Sequence, residues 1–145
     1  MTTFLLIIGG LIVVFIGLGL LSQKGEAPGL IEGKLKEPGS KPNVVCSEAG
    51  VQPERFVDPL NAALNDVADV IEQIGGTITS RSETYLSATF MSRIFKYVDD
   101  VEIRQDGDIC HIRSGSRVGH SDMGANKKRV EQIRRILQSE GVANT

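Results

Sequence analysis

An uncharged run of eighteen residues near the N-terminus limits the folds open to this chain more than any other feature. It extends from Phe4 to Leu21 and reads FLLIIGGLIVVFIGLGLL. At about 1.5 Å per helical residue it rises about 27 Å, close to the hydrocarbon thickness of a bilayer. A cleaved signal peptide is the alternative, but no basic residue precedes the run and no small-x-small cleavage site follows it. The run therefore predicts a transmembrane anchor over residues 1–23.

Two conflicting arguments bear on the side of the membrane that holds the rest of the chain. Lysines follow the run at positions 24, 34, 36 and 41, and no Lys or Arg precedes it, which by the positive-inside rule favours the cytoplasm. An ordinary membrane-anchored bacterial domain instead lies outside. We expect a single-pass protein of the cell membrane with a periplasmic or otherwise extracytoplasmic domain.

Residues 24–53 are rich in Gly, Pro, Lys and Glu and show no apolar period. Such a composition predicts an extended tether that reaches on the order of 30 Å as a flexible coil. The remaining residues, 54–145, are the predicted globular domain.

Periodicity within residues 54–145 predicts the elements of an α+β domain. Apolar residues at three- and four-residue steps predict a helix over 58–74, with Pro59 in its first turn. A second helix is predicted over 125–138. Between them, four segments alternate with a period of two, and Asp106-Gly107 marks a hairpin between the last two. The predicted order is α-β-β-β-β-α, a four-stranded antiparallel sheet with the helices on one face; the strands are 77–82, 84–90, 98–104 and 108–113.

The alternation also gives the predicted sheet one apolar and one polar face. Helices on the apolar face would leave the polar face to solvent, as is usual for an antiparallel sheet. The predicted core residues are Ile78, Leu86, Ala88, Phe90, Val101, Ile103, Cys110 and Ile112. The predicted solvated residues are Tyr85, Ser87, Asp100, Glu102, Arg104, His111 and Arg113.

Composition argues against two classes of function. The net charge is −2 and aromatic residues make up 5%, so a broad nucleic-acid surface is not expected. The two cysteines and two histidines lack zinc-finger spacing, and the pair Cys46 and Cys110 is compatible with one disulfide or with two buried thiols. His111, His120 and nearby carboxylates have no diagnostic metal spacing either, and we expect no metal and no cofactor.

The run RSGSRVGHSDMGANKKR, Arg113 to Arg129, is the strongest candidate for a functional loop. Gly119 and Gly124 have the spacing of a phosphate cradle, but Ala125-Asn126 stand where a lysine and a hydroxyl residue belong, so nucleotide binding is not expected. Asp122 or Ser121 is expected to cap the following helix instead.

A smaller anion is a further possibility, bound by Arg113, Arg117 and backbone amides at that helix end. The acids of VDDVE, Val98 to Glu102, lie on the neighbouring predicted strand. Internal pairing of the arginines with these acids is therefore the favoured interpretation.

Catalysis is an alternative interpretation of the same loop. A small hydrolase or other small-ligand enzyme would use Ser116 (or Ser114) with His120 and a carboxylate from Asp99 or Asp100. Chance occurrence of these common residue types is favoured over a catalytic cluster.

Our leading hypothesis is a non-enzymatic, membrane-anchored interaction or accessory domain. It would dock to a membrane-embedded protein or complex, or to anionic lipid, through this loop and the basic helix that follows it. The candidate residues for binding a partner or an anion are Arg113, Ser114, Ser116, Arg117, His120, Lys127, Lys128 and Arg129.

Two stretches, FMSRIFKYVDDVEIR and ICHIRSGSRVGHSDMGANKKRVEQIR, carry a resemblance. They closely resemble the signature of the uncharacterised domain-of-unknown-function family numbered fourteen ninety-nine, over about Pro42 to Leu137. The resemblance implies a small, often membrane-associated α+β domain with no established activity. Val44 stands where the family has a cysteine, and His120 stands where it often has tyrosine, which argues against a reaction that depends on an imidazole.

Overall fold

The computed structural model of the protein describes residues 1–141, which form an α+β fold as predicted. The elements are named in chain order. They are α1 (Thr2–Ser22), β1 (Leu30–Ile31), β2 (Lys34–Leu35), β3 (Val44–Cys46), α2 (Leu64–Gln73), β4 (Thr77–Arg81), β5 (Tyr85–Met91), β6 (Val98–Asp106), β7 (Ile109–Ser116) and α3 (Ala125–Ser139).

The main sheet among these residues has five antiparallel strands in the order β3-β7-β6-β5-β4, so the prediction of four strands is wrong by one. The additional strand is β3, which pairs with the end of β7 through Val44 opposite Gly115 and Cys46 opposite Arg113. It lies in the segment that the sequence predicts to be a tether. Three residues are too few to show an alternation, and their partner lies about seventy residues further along the chain.

Helices α2 and α3 pack against one face of this sheet and enclose the hydrophobic core with it. Six of the eight predicted core residues of the strands are fully buried, while Ile78 and Phe90 are half-buried at its edge. Helix α2 begins at Leu64 rather than at residue 58. The reason is that the backbone of Leu60 exchanges two hydrogen bonds of 2.8 Å with that of Cys110, which holds this stretch extended beside β7.

The polar face of the sheet is largely covered, in contrast to the expected solvated face: Ser87, Asp100, Glu102 and Arg113 are buried, and Tyr85, Arg104 and His111 are half-buried. Residues 25–37, which we call the strap, include the hairpin β1–β2 and lie across this face. The amide of Gly29 donates to Glu102 Oε1 at 2.8 Å, and Arg113 Nε donates to the carbonyl of Lys36 at 3.0 Å. Part of the predicted tether is therefore packed on the domain, because its backbone donors and acceptors satisfy the buried charges beneath it.

Helix α1 has 21 residues and a mean hydropathy of 3.0, and within residues 1–141 it alone is long and apolar enough to cross a membrane. Its C-terminal end contacts the domain directly. Ser22 Oγ accepts a hydrogen bond from the amide of Val98 at 3.1 Å, and the rings of Phe15 and Phe95 lie 5.1 Å apart. The turn between β5 and β6, residues 92–97, therefore packs along the last two turns of α1.

Gly19 makes this close packing possible, which gives a test. A Cβ atom at Gly19 would lie 1.7 Å from the carbonyl oxygen of Phe95, whereas one at Gly17 would meet nothing within 4 Å. We expect Gly19→Ala to weaken the docking of α1 by about 1–3 kcal/mol, the usual cost of overpacking. Amide hydrogen exchange in residues 92–97 should accelerate in detergent-solubilised Gly19→Ala protein. Gly17→Ala, the matched control for helix propensity, should leave it unchanged, and equal exchange in both variants would contradict the packing.

Candidate functional site

A buried network of hydrogen bonds joins β7 to the start of α3, and Asn126 is its centre. The side chain of Asn126 is fully buried. Its Oδ1 accepts from Ser114 Oγ at 2.6 Å, and its Nδ2 donates to Ser116 Oγ at 3.0 Å and to the carbonyl of Asn43 at 3.2 Å. The end of β7, the start of α3 and the distant Asn43 therefore meet at one amide.

Arg129 extends this network to strand β6. Its Nη1 donates to Asn126 Oδ1 at 2.7 Å, and its Nη2 forms an ion pair with Asp99 Oδ2 at 2.8 Å. The guanidinium also lies 4.5 Å from the centre of the Phe90 ring. Ser114, Ser116 and Arg129, three of the predicted binding residues, are thus brought together, but they bind to other parts of the domain.

Asp122 organises the start of α3, which meets the capping prediction only in part, because the N-cap itself is Gly124, two residues further on. Its carboxylate accepts from the amides of Gly124 and Asn126, both at 2.9 Å, and from Asn126 Nδ2 at 2.8 Å. Burial alone would raise the pKa of Asp122, but the hydrogen bonds from Asn126 and Gly124 lower it below its ordinary value. Asp122 is therefore a fixed negative charge beside the loop.

Arg113 and Arg117 point to the opposite face of the sheet, because alternate residues of a strand face opposite sides. Arg113 Nη1 lies 3.2 Å from Glu102 Oε2, and Arg117 binds both carboxylate oxygens of Asp100 at 2.7 Å. The internal pairing that the sequence favoured over an anion site is confirmed for both arginines.

Glu102 is the most deeply buried charge of this face. It also accepts a hydrogen bond from Tyr85 Oη at 2.8 Å. Burial raises the pKa of Glu102 above its ordinary value, although its donors favour the ionised form. Burial and the neighbouring Glu102 carboxylate raise the pKa of Tyr85 as well. These groups satisfy one another beneath the strap, so their arrangement is structural.

A second charged cluster on this face was not found from the sequence. Arg104 binds both oxygens of Glu48, at 2.9 and 3.0 Å, and Glu48 also accepts from the amide of Leu35 in the strap at 3.1 Å. Burial would raise the pKa of Glu48, but these hydrogen bonds lower it. Glu48 lies in the segment predicted to be a tether, where nothing in the pattern indicates a buried acid.

The cysteines are two separate thiols, which decides between the two alternatives left open by the sequence. Cys46 and Cys110 are both free and fully buried. Burial raises the pKa of Cys110 to about 12 and also raises that of Cys46, so neither is a reactive thiolate. Within residues 1–141, no three His, Cys, Asp or Glu side chains converge as a metal ion requires.

A half-open cavity of about 470 Å³, which we call the α1 cavity, lies between α1 and the loop that joins β7 to α3. Ser116, His120 and Asp99 of the alternative catalytic reading line it, whereas Asp100 lies on the opposite face of the sheet with Arg117. Ser116 Oγ is engaged by Asn126 and Asp99 by Arg129. The serine and the acid are therefore held by partners other than His120, and no Ser-His-Asp relay is assembled.

The remaining predicted binding residues are exposed. Lys127 and Lys128 lie on the outer side of α3, and His120 lies at the mouth of the α1 cavity. The eight predicted residues thus occupy three places: the covered sheet face, the Asn126 network and this exposed surface. Sequence reasoning missed Asn126 and Asn43, whose contact joins positions 83 residues apart.

A known protein family matches most of the chain. The family model described as protein of unknown function (DUF1499) matches residues 34–137, which include the strap hairpin strand β2 as well as the main sheet and most of α3. No curated protein matches the chain.

The Asn126 network gives a test of its structural role. We expect Asn126→Ala to lower the free energy of unfolding by about 2–4 kcal/mol, because it leaves several buried polar groups without partners. Lys127→Ala, the adjacent exposed position on the same helix, should change it by less than about 0.5 kcal/mol. Denaturant titration of the detergent-solubilised protein measures both. Equal stability of the two variants would contradict a stabilising network.

Proposed function

The chain belongs to the family described as protein of unknown function (DUF1499), and we propose that it is a membrane-anchored, non-enzymatic accessory domain that docks to anionic lipid beside its own membrane helix. The observation that carries the proposal is the direct packing of α1 on the turn 92–97. A domain held in this way has one face at the membrane surface at all times.

The depth of the contact supports this proposal. Phe15 precedes the end of α1 at Ser22 by seven residues, which is about 10 Å along a helix. Because Phe15 packs against Phe95, the turn 92–97 reaches about 10 Å back along α1. If α1 spans the bilayer, this turn lies at the depth where interfacial segments bury their apolar residues, about 5–10 Å.

The side chains of this region suit such a position. Ile94, in the turn, is 80% exposed, and Met123, at the α1 cavity, is 91% exposed. Arg93 and Lys96 flank Ile94 and are also exposed. An exposed apolar residue between basic residues is typical of segments that enter the interface while their charges remain among the headgroups.

Charge supports the choice of anionic lipid, on a smaller surface than the sequence suggested. Arg113, Arg117 and Arg129 are paired with Glu102, Asp100 and Asp99, respectively, so they are not offered to a ligand. Lys127 and Lys128 are exposed and lie in the first turn of α3. The first residue of this helix, Ala125, lines the α1 cavity, so both lysines lie close to it. Each exposed basic residue near an anionic surface contributes about 1 kcal/mol.

The proposal includes the extracytoplasmic side predicted from the sequence. A membrane-embedded protein is the alternative occupant of the same face, and its apolar surface would meet Ile94 and Met123 in place of lipid. The experiment below separates the two occupants.

The chain has no tryptophan, so one introduced at Ile94 reports its own surroundings. We expect the fluorescence of Ile94→Trp protein in nanodiscs to be quenched by lipids brominated on the acyl chain, more strongly when anionic lipid is present. Asp108→Trp is the control, since Asp108 lies beyond the far end of β6, about 30 Å away. It should not be quenched.

Absence of quenching at position 94 in pure lipid would overturn the proposal. If the same tryptophan instead became shielded only in native membranes, a protein partner would take the place of lipid.

A further inference from the structure

The α1 cavity has one wall made by the membrane helix itself. Phe15 and Leu18 of α1 face Val118 and Met123 of the loop between β7 and α3, with Tyr97 at the side. The lining is mostly apolar, and the volume of about 470 Å³ is within the range of small-ligand sites. The cavity is therefore large enough for part of an amphiphile rather than for a few water molecules.

The surroundings of α1 determine what can enter. The helix is apolar on every side, and Phe15 remains 41% exposed beside the cavity. If α1 spans the bilayer, as the proposed function requires, lipid chains surround the helix at this level. The apolar wall of the cavity is then continuous with the hydrocarbon, so an acyl chain can enter from the side.

Polar groups line the other part of the cavity, next to the domain. Ser116, His120 and Ser121 supply hydrogen-bonding groups. Asp99 is paired with Arg129, whereas Asp122 is a carboxylate held by amides that forms no ion pair within residues 1–141. The fixed charge of Asp122 disfavours an anionic group here.

We propose that the α1 cavity binds one lipid of the bilayer, with an acyl chain between α1 and the β7–α3 loop. Its glycerol ester or headgroup meets Ser116 and His120, and the headgroup is uncharged or zwitterionic. This proposal rests on the proposed function, which requires that α1 spans the bilayer. The cavity and the exposed lysines of α3 select different lipids, since the cavity takes an uncharged or zwitterionic headgroup and the lysines take an anionic one.

Photolabelling of the full-length protein in nanodiscs tests the site. The probe is phosphatidylcholine with a diazirine on one acyl chain, and labelled peptides are mapped by mass spectrometry. We expect labelling of residues 118–125 as well as of α1. Phosphatidic acid with the same labelled chain should label residues 118–125 less.

Leu18→Trp fills the cavity from the helix side and should remove most of the labelling of residues 118–125. Leu20→Trp is the matched control, because two residues rotate the side chain by about 200° to the opposite side of the helix. It should label like the unmodified protein. Ala125→Leu fills the cavity from the other wall and should also reduce labelling, which guards against a Leu18→Trp effect caused by undocking of α1.

Equal labelling in Leu18→Trp, Ala125→Leu and Leu20→Trp would overturn the lipid site, as would labelling confined to α1 in the unmodified protein. Quenching of Ile94→Trp by brominated lipid is independent of the cavity. If that quenching persists while residues 118–125 remain unlabelled, the lipid site fails and the membrane-docking function stands. If both are absent, both proposals fail.

Discussion

The guanidinium of Arg117 contacts three parts of this molecule at once: the sheet, the end of α1 and the start of the strap. Two of its nitrogens bind Asp100 on β6, and Nη1 donates to the carbonyl of Ser22 at the end of α1, at 3.1 Å. The start of the strap crosses directly over it, since a Cβ at Gly25 would lie 2.9 Å from Arg117 Cδ. One largely buried arginine thus helps to hold together the sheet, α1 and the strap. Burying such a charge is costly unless every donor has a partner, and here the backbone carbonyl of α1 is one of those partners.

Local patterns predicted the part of the fold that depends on them. The period-two alternation of β5, β6 and β7 assigned six fully buried core residues to the correct face, and the final helix begins at Ala125 as expected. What the sequence could not show depends on distant partners. Leu60 is apolar at a helical spacing, yet its backbone pairs with Cys110, fifty residues away. The alternation identified the polar face correctly, but it did not predict that the strap covers this face. Gly29 and Lys36 of the strap bind there through backbone groups, which every residue type carries, so the sequence gives no sign of the contact.

The candidate loop shows the same division. Alternation alone separates Arg113 from Ser114, and it predicts that the acids of β6 can meet the arginines of β7. Alternation cannot predict that the side chain of Asn126 forms hydrogen bonds with Ser114 and Ser116, since an asparagine at a helix start is more often a cap. The spacing of Gly119 and Gly124 resembles a phosphate cradle, but the loop between them is organised by Asp122. Its carboxylate accepts hydrogen bonds from the backbone amides at the start of α3. Side chains that are contiguous in sequence and looked like one site therefore lie on both faces of the sheet.

The distribution of polarity supports the proposed position of this domain at a membrane surface. The fold hides charged Glu102 and Asp100 beneath a strap, while Ile94 and Met123 project from it almost fully exposed. In water both choices cost free energy, since buried charges lose hydration and apolar side chains remain wet. The buried charges are compensated by partners within the chain. The exposed apolar residues have no such compensation within the described residues, and both lie on loops that pack beside or face α1. A bilayer around α1 would bury these side chains. In that environment the turn 92–97 would stabilise the packing of the domain on α1, whereas in water its exposed apolar residues cost free energy.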